Sequence, residues 1–285
     1  MSMLERTAPN ALLARGAVLA RLLSDALCRS PNGRDHCGAL HGVWTDLRRL
    51  GLAAEPARHA AFYADALGAL ARQGRVRVLI SGCADWGMLE TVVHAYRDVR
   101  APLDATVVDR CPTPVLLSAW FAAEIGLSIR TAVGDVIEWG DDDAFDVVCT
   151  HSLLTYPAAD ERRRLVANWR RIVRPGGAVV TVSRLTGEAP AVAIDDARAG
   201  AFADVVVERS TGGDVAQLRA RAERFAKAQV SNPVGTAADL RALFEGQAFD
   251  VVRLDVRHVE GSLSAGRVGG AARTGEYGEV VAVRR

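Results

Sequence analysis

The sequence predicts an α/β protein, a doubly wound, mostly parallel seven-stranded sheet behind an N-terminal helical extension. Three observations carry the prediction. Val76–Ser81 is an apolar, β-branched run that ends at Gly82, and a short polar turn then leads into Met88, Leu89, Val92, Val93 and Tyr96 at helical spacing. Strand, tight glycine turn and helix are the opening unit of such a sheet, with the ligand expected at the carboxyl end of the strand, against the helix N-terminus. From there to about residue 185 short apolar runs alternate with helical patterns, which is the signature of parallel strands joined by crossover helices. The last segments read helix, strand, loop, strand, and predict a final hairpin with one reversed strand.

Taken in order, Asn10 to Leu27 repeats leucines and valines at helical spacing, and Ser30-Pro31-Asn32-Gly33 is a turn. A second helix is expected over Leu40–Leu50, stopped by Gly51, and a third over Pro56–Gln73, with proline tolerated in the first turn. Residues 1–73 thus form a helical cap, and 74–285 the main domain. After Val76–Ser81 come a helix over Gly87–Asp98, a strand over Thr106–Asp109, and a helix from Pro112 closed by Gly126. Strands follow over Ser128–Val133 and Phe145–Thr150, then an amphipathic helix over Asp160–Val173, a turn at Arg174-Pro175-Gly176-Gly177 and a strand over Ala178–Ser183. Residues 185–234 interrupt the alternation with a helical insert whose helix spans Asp214–Gln229. A helix over Asp239–Phe249 and strands over Asp250–Val259 and Val280–Arg284 finish the chain, with Ser262–Gly278 as a glycine-rich connection.

Composition narrows the function. The 285 residues carry a net charge of +1 with both signs mixed, and aromatics make up 6%. Neither a basic block nor a base-stacking surface is present, so nucleic acid is not an expected partner. The apolar stretch Ala11–Leu27 is broken by Arg15, Arg21 and Asp25, too interrupted to span a bilayer, and no secretory leader is legible. Five cysteines, an odd number with no disulfide spacing, fit a reducing cytoplasm. Cys28, His36, Cys37 and His41 cluster in the cap, but their spacing matches no common zinc pattern, so no metal is expected. The cap serves as a lid or as part of a substrate pocket, or else as a surface for a homodimer or protein partner.

The residues at strand ends then fall into a pattern. Val78-Leu79-Ile80-Ser81-Gly82-Cys83-Ala84 forms the first loop, Asp109-Arg110-Cys111-Pro112 follows the second strand, and Gly134-Asp135-Val136 follows the third. Phe145 to His151 lie on the fourth, and Ile172-Val173-Arg174-Pro175-Gly176-Gly177 precedes the fifth. In this order and spacing the chain resembles the class I S-adenosylmethionine-dependent methyltransferases, a Rossmann-like family. The resemblance implies S-adenosyl-L-methionine as cofactor and methyl transfer to a small-molecule acceptor, a metabolite or a compound of secondary metabolism. It implies that Gly82 lets the backbone approach the methionine part, that Asp109 binds the ribose hydroxyls with Arg110 beside it, and that Asp135 accepts from the adenine amine. Val136 and Ile137 would flank the ring, and Thr150 and His151 would line the pocket near the reactive methyl.

The chain departs from the family in its first loop. Ile80 stands where an acid is usual, and Ala84 and Trp86 replace the second and third glycines. Two expectations follow. In one, Trp86 rotates away or packs over the methionine tail, and Asp85 takes over the missing carboxylate's role. In the other, the indole closes the pocket. The chain is then an enzyme that has lost methyl transfer and uses the cleft for displacement or elimination, such as ring closure. A non-catalytic methyltransferase-like subunit is a third reading. Where a base is needed, His151 is the first candidate, since its pKa lies near working pH. Tyr156 and Arg184 are candidates for orienting an acceptor.

Overall fold

The computed structural model describes residues 9–28, 36–185, 195–210, 212–229, 232, 234–259 and 275–285. Its sheet contains strands β1 (Arg77–Ser81), β2 (Asp104–Asp109), β3 (Arg130–Val133), β4 (Phe145–His151), β5 (Val173–Leu185), β6 (Phe249–Val259) and β7 (Gly275–Arg284). They lie in the order β3-β2-β1-β4-β5-β7-β6, with β7 alone antiparallel to its neighbours. The reversed strand of the closing hairpin is therefore the last one. Order reverses between β1 and β4, which opens a crevice at their carboxyl ends. The central strands β1 and β4 are buried on both faces, whereas the edge strand β3 is largely exposed.

Two apolar layers sandwich the sheet. On one side α4 (Ala60–Arg72), α5 (Gly87–Asp98) and α6 (Pro112–Glu124) cover Val78, Ile80, Val147, Cys149, Val180 and Val182, with α1 (Pro9–Leu27) outside them. On the other, α7 (Ala159–Ile172) and α10 (Ala237–Glu245) cover Leu79, Val148 and Val179. Trp169 is buried there, stacked on Phe244, and its indole N–H donates to Ser81 Oγ (3.0 Å), so its polar edge is satisfied.

The helix expected over Leu40–Leu50 is two short helices, α2 (His36–His41) and α3 (Trp44–Arg49). A third core explains them. Leu40, Val43, Leu47 and Leu52 pack against Ala199, Phe202 and Val206 of α8 (Asp196–Glu208) and Leu218, Ala222 and Phe225 of α9 (Val215–Ala228). Cap and insert therefore share one hydrophobic cluster, and Arg221 on α9 reaches Asp25 on α1 (2.6 Å). Helix α8 is not visible in the sequence pattern, and the expected connection over 262–274 lies outside the described residues. Residues 275–278 of that connection are strand.

The turn expected at Arg174–Gly177 lies within the span of β5, where the register with β4 slips between Phe145 and Val147. Gly176 has φ +71°, which glycine adopts at low cost. Nearby, Asp146 accepts from the backbone N–H of Val76 and Arg77 (both 2.9 Å) and is ion-paired with Arg174 (2.6 Å), and these groups hold its carboxyl below the ordinary value despite its desolvation. Among the described residues no helix is long and apolar enough to cross a membrane.

Candidate active site

The carboxyl ends of β1, β2 and β3 are fastened into one edge by their own backbone. Gly82 N–H donates to Val108 C=O and Gly134 N–H to Asp109 C=O, both at 2.9 Å. Gly82 has φ +72°, and a Cβ there would meet the Leu153 methyls at 2.9 Å. Only glycine satisfies both the backbone and the space, with Leu153, in the 3-10 turn after β4, packed over it.

Asp109 holds this edge in shape. One carboxylate oxygen accepts from Cys83 N–H (2.9 Å) and the other from Cys111 N–H (2.7 Å). Burial pushes its carboxyl above the ordinary value, against the pull of His41 and of these two N–H groups. Each oxygen keeps further acceptor capacity, as a ribose diol would need. Asp135 is exposed; it accepts from Ile137 N–H (3.0 Å) in an Asx turn, and Val136 beside it is buried. Arg110 was expected beside Asp109. It lies 3.8 Å from Asp135, with both side chains well exposed, and its charge also opposes the rise of the Asp109 pKa.

The loop after Gly82 turns away from this edge. Trp86 is 1% exposed, in edge contact with Trp120 and stacked on Phe121. A Cβ on Gly16 of α1 would fall 2.1 Å from its ring, so that glycine is what admits the indole. The ring thus packs into the core against α1 and α6. The role expected of Asp85 is corrected. Its buried carboxylate accepts from Arg48 (3.0 Å), Thr45 Oγ1 (3.2 Å) and Gly87 N–H (2.8 Å), which commits it to pinning α3 against α5. Arg48, itself buried, also donates to Glu55 (2.6 Å) and Glu90 (2.8 Å) and lies 5.2 Å from the Trp86 ring centre. Ala84 packs toward the cluster shared by cap and insert.

The other half of the edge, at the ends of β4, β5 and β7, is polar and buried. Thr150 is fully buried, its carbonyl accepts from Tyr63 O–H (2.8 Å), and its Oγ1 has no hydrogen-bond partner among the described residues. His151 lies with Nε2 3.0 Å from Ala54 C=O and Nδ1 3.1 Å from Tyr63 Oη. A carbonyl only accepts, so Nε2 carries the hydrogen and Nδ1 the lone pair. Desolvation and the neighbouring His59 push its pKa down to about 3. Nε2–H is held by the cap, Nδ1 faces a phenol oxygen whose one hydrogen goes to Thr150 C=O, and the depressed pKa makes the ring a poor base, so His151 as the base expected from the sequence is corrected. It is a neutral link between β4 and the cap.

Register continues from His151 through Val182 to Glu279. Glu279 is buried and 2.8 Å from Nδ1 of His59, which is itself buried against Tyr277, with the His151 ring 5.5 Å away. Desolvation lowers the His59 pKa and the carboxylate opposes it. Arg184, half-buried, pairs with Tyr277 in register and so shares this face. Tyr156 is half-buried just beyond the 3-10 turn, its phenol pushed up to about 12 by burial and its carbonyl holding Asn232 (2.7 Å). Sequence reasoning missed His59, Tyr63 and Glu279. Each sits in an ordinary helical or strand pattern, and only the fold brings them together.

Residues 87–181 match the family model described as a methyltransferase domain. No curated protein sequence matches the chain. Among solved structures, the candidate methyltransferase BH2331 from Bacillus halodurans C-125 superposes with a TM-score of 0.52 at 13% identity, over 78% of this chain and 98% of that one. YcgJ from Bacillus subtilis gives 0.50 at 14% identity, over 77% and 97%. TehB from Haemophilus influenzae gives 0.50 at 11% identity, over 78% and 62%. The central segment thus matches a methyltransferase domain, and the fold around it is the Rossmann-like methyltransferase fold.

Proposed function

We propose that the chain binds S-adenosyl-L-methionine along the β1–β2–β3 edge and methylates a small molecule held between that edge and the helical cap. The observation that carries this reading is the alignment of Gly82, Asp109 and Asp135 at three successive strand ends beside the switch point. The residues fit the group in that half. Gly82 gives backbone access, Asp109 has acceptor capacity for a diol, and Thr150 offers an unsatisfied hydroxyl at the crevice. The departure is at the methionine end, where Asp85 is spent on Arg48 and Leu153 covers Gly82. Leu153 has to shift for a ligand to reach that glycine.

When bound, the cofactor supplies an already activated methyl group, so the protein's work is alignment, exclusion of water and handling of one proton. The buried His59–Glu279 pair is suited to the proton. Nδ1–H donating to Glu279 leaves the lone pair on Nε2, the tautomer a general base requires, and the carboxylate stabilises the imidazolium that forms. Arg184 on the same face orients the acceptor.

Native mass spectrometry of the intact chain with S-adenosylhomocysteine tests the reading. A single adduct per chain at micromolar ligand is the expected result. No adduct at millimolar ligand overturns it, in favour of a fold turned to displacement chemistry or to a subunit role.

A further inference from the structure

Cys28, Cys37, His41 and Cys111 place three thiols and an imidazole within 4.8 Å of one another. They arrive from three directions. Cys28 follows the end of α1, Cys37 and His41 lie four residues apart on one side of α2, and Cys111 is the residue before α6. Cys28 Sγ is 3.5 Å from Cys111 Sγ and 3.5 Å from His41 Nδ1, and Cys37 Sγ is 3.4 Å from the same nitrogen. A tetrahedral zinc ion with Zn–S near 2.3 Å and Zn–N near 2.05 Å sets sulfurs about 3.8 Å apart and sulfur and nitrogen about 3.6 Å apart. These three separations fall within a few tenths of an ångström of that figure, and the remaining pairs lie within 4.8 Å.

We propose that these four residues form a closed, structural zinc site that staples the helical cap to the β2–α6 turn. Three thiolates and one imidazole are an established donor set for structural zinc, and soft thiolates favour zinc over the oxygen-seeking ions. A Cys28–Cys111 disulfide would use only two of the four groups and would need the sulfurs to close to about 2.05 Å. Zinc with three thiolates leaves a net charge of −1, and the surroundings suit it. Cys111 occupies the N-cap of the 13-residue helix α6, whose first turn favours negative charge, and Thr113 Oγ1 lies 3.3 Å from Cys28 Sγ. The site also reaches the edge described above, because Cys111 N–H donates to Asp109. A metal there fixes the carboxylate and the cap with one set of bonds. The zinc proposal stands on these distances alone, whatever the chain binds along that edge.

The test is metal analysis of the full chain purified under reducing conditions, followed by chelation and titration with cobalt(II) as probe. One zinc per chain is expected, and cobalt should give thiolate charge-transfer bands with the intense visible absorption of a tetrahedral centre. Cys37→Ser and Cys111→Ser should each weaken retention by more than the roughly 10–100-fold typical of an outer-shell change, while Cys149→Ser, buried in β4, should retain the metal. Zinc well below one per chain together with a cobalt titration lacking thiolate bands overturns the proposal. A Cys28–Cys111 disulfide in a non-reducing peptide map also overturns it. Since the cobalt titration uses the unaltered chain, variants that fail to fold leave the answer intact.

Discussion

The two halves of the sheet's carboxyl edge are built in different ways. Along β1, β2 and β3 the polar contacts are local. Asp109 takes one N–H two residues ahead and one from the neighbouring loop, and Asp135 closes a turn on Ile137. Along β4, β5 and β7 they are long-range, since Tyr63 meets His151 across 88 residues and His59 meets Glu279 across 220. The proposed cofactor half is thus carried by short loops whose conformation their own residues dictate. The proposed acceptor half exists only once cap, sheet and final hairpin have docked. One consequence is that changes in the first half should act on ligand affinity, and changes in the second on rate and on its pH dependence.

The largest effect expected is on stability. Trp86→Ala removes a buried indole wedged between Gly16, Trp120 and Phe121, and should cost about 3–5 kcal/mol by chemical denaturation. Affinity of the folded variant for S-adenosylhomocysteine should stay within about twofold, because the ring faces the core. Markedly tighter binding would make the indole a plug.

Next comes the proton pathway. Glu279→Gln should lower kcat by about 10–100-fold, the scale of a weakened general base. The sign of the pH effect distinguishes this from a packing defect. Base catalysis needs neutral His59, so activity falls as pH drops through its pKa, which Glu279 raises. Losing the carboxylate therefore moves the acid limb of kcat/KM to lower pH. An unmoved limb would confine Glu279 to a structural role.

The smallest effect sharpens the boundary between the halves. Leu153 belongs to the turn after β4 yet covers Gly82 of the first loop. Leu153→Ala should tighten S-adenosylhomocysteine binding by about 1 kcal/mol, roughly fivefold, through relief of the displacement. Weaker binding would make Leu153 a contact of the ligand.

How much of this could be read from the chain follows the same division. The helix over Gly87–Asp98 and the strand-end positions of Asp109 and Asp135 were legible because periodicity and turn chemistry are local. The direction of Trp86 was not, since it depends on Gly16, 70 positions earlier, leaving room for the ring. His151 was legible as a strand-end histidine but not as one tied through Nε2 to Ala54 and packed against Tyr63. The split of the second helix and the existence of α8 depended on each other, since both answer to one shared core. Cys111 likewise joins Cys28, Cys37 and His41 only through the docking of α1 and α2 on α6.

Calorimetric titration with S-adenosylmethionine of the native chain, Asp109→Asn and Arg110→Ala tests the central claim most directly. The native chain should bind. Asp109→Asn, which exchanges the charged acceptor at the β2 end for a neutral amide, should lose about 2–3 kcal/mol, roughly 30–150-fold in Kd. Arg110→Ala, removing an exposed side chain paired with Asp135 at 3.8 Å, should change affinity by less than about fivefold. Equal binding by the native chain and Asp109→Asn, or no heat from the native chain at millimolar ligand, would contradict the account.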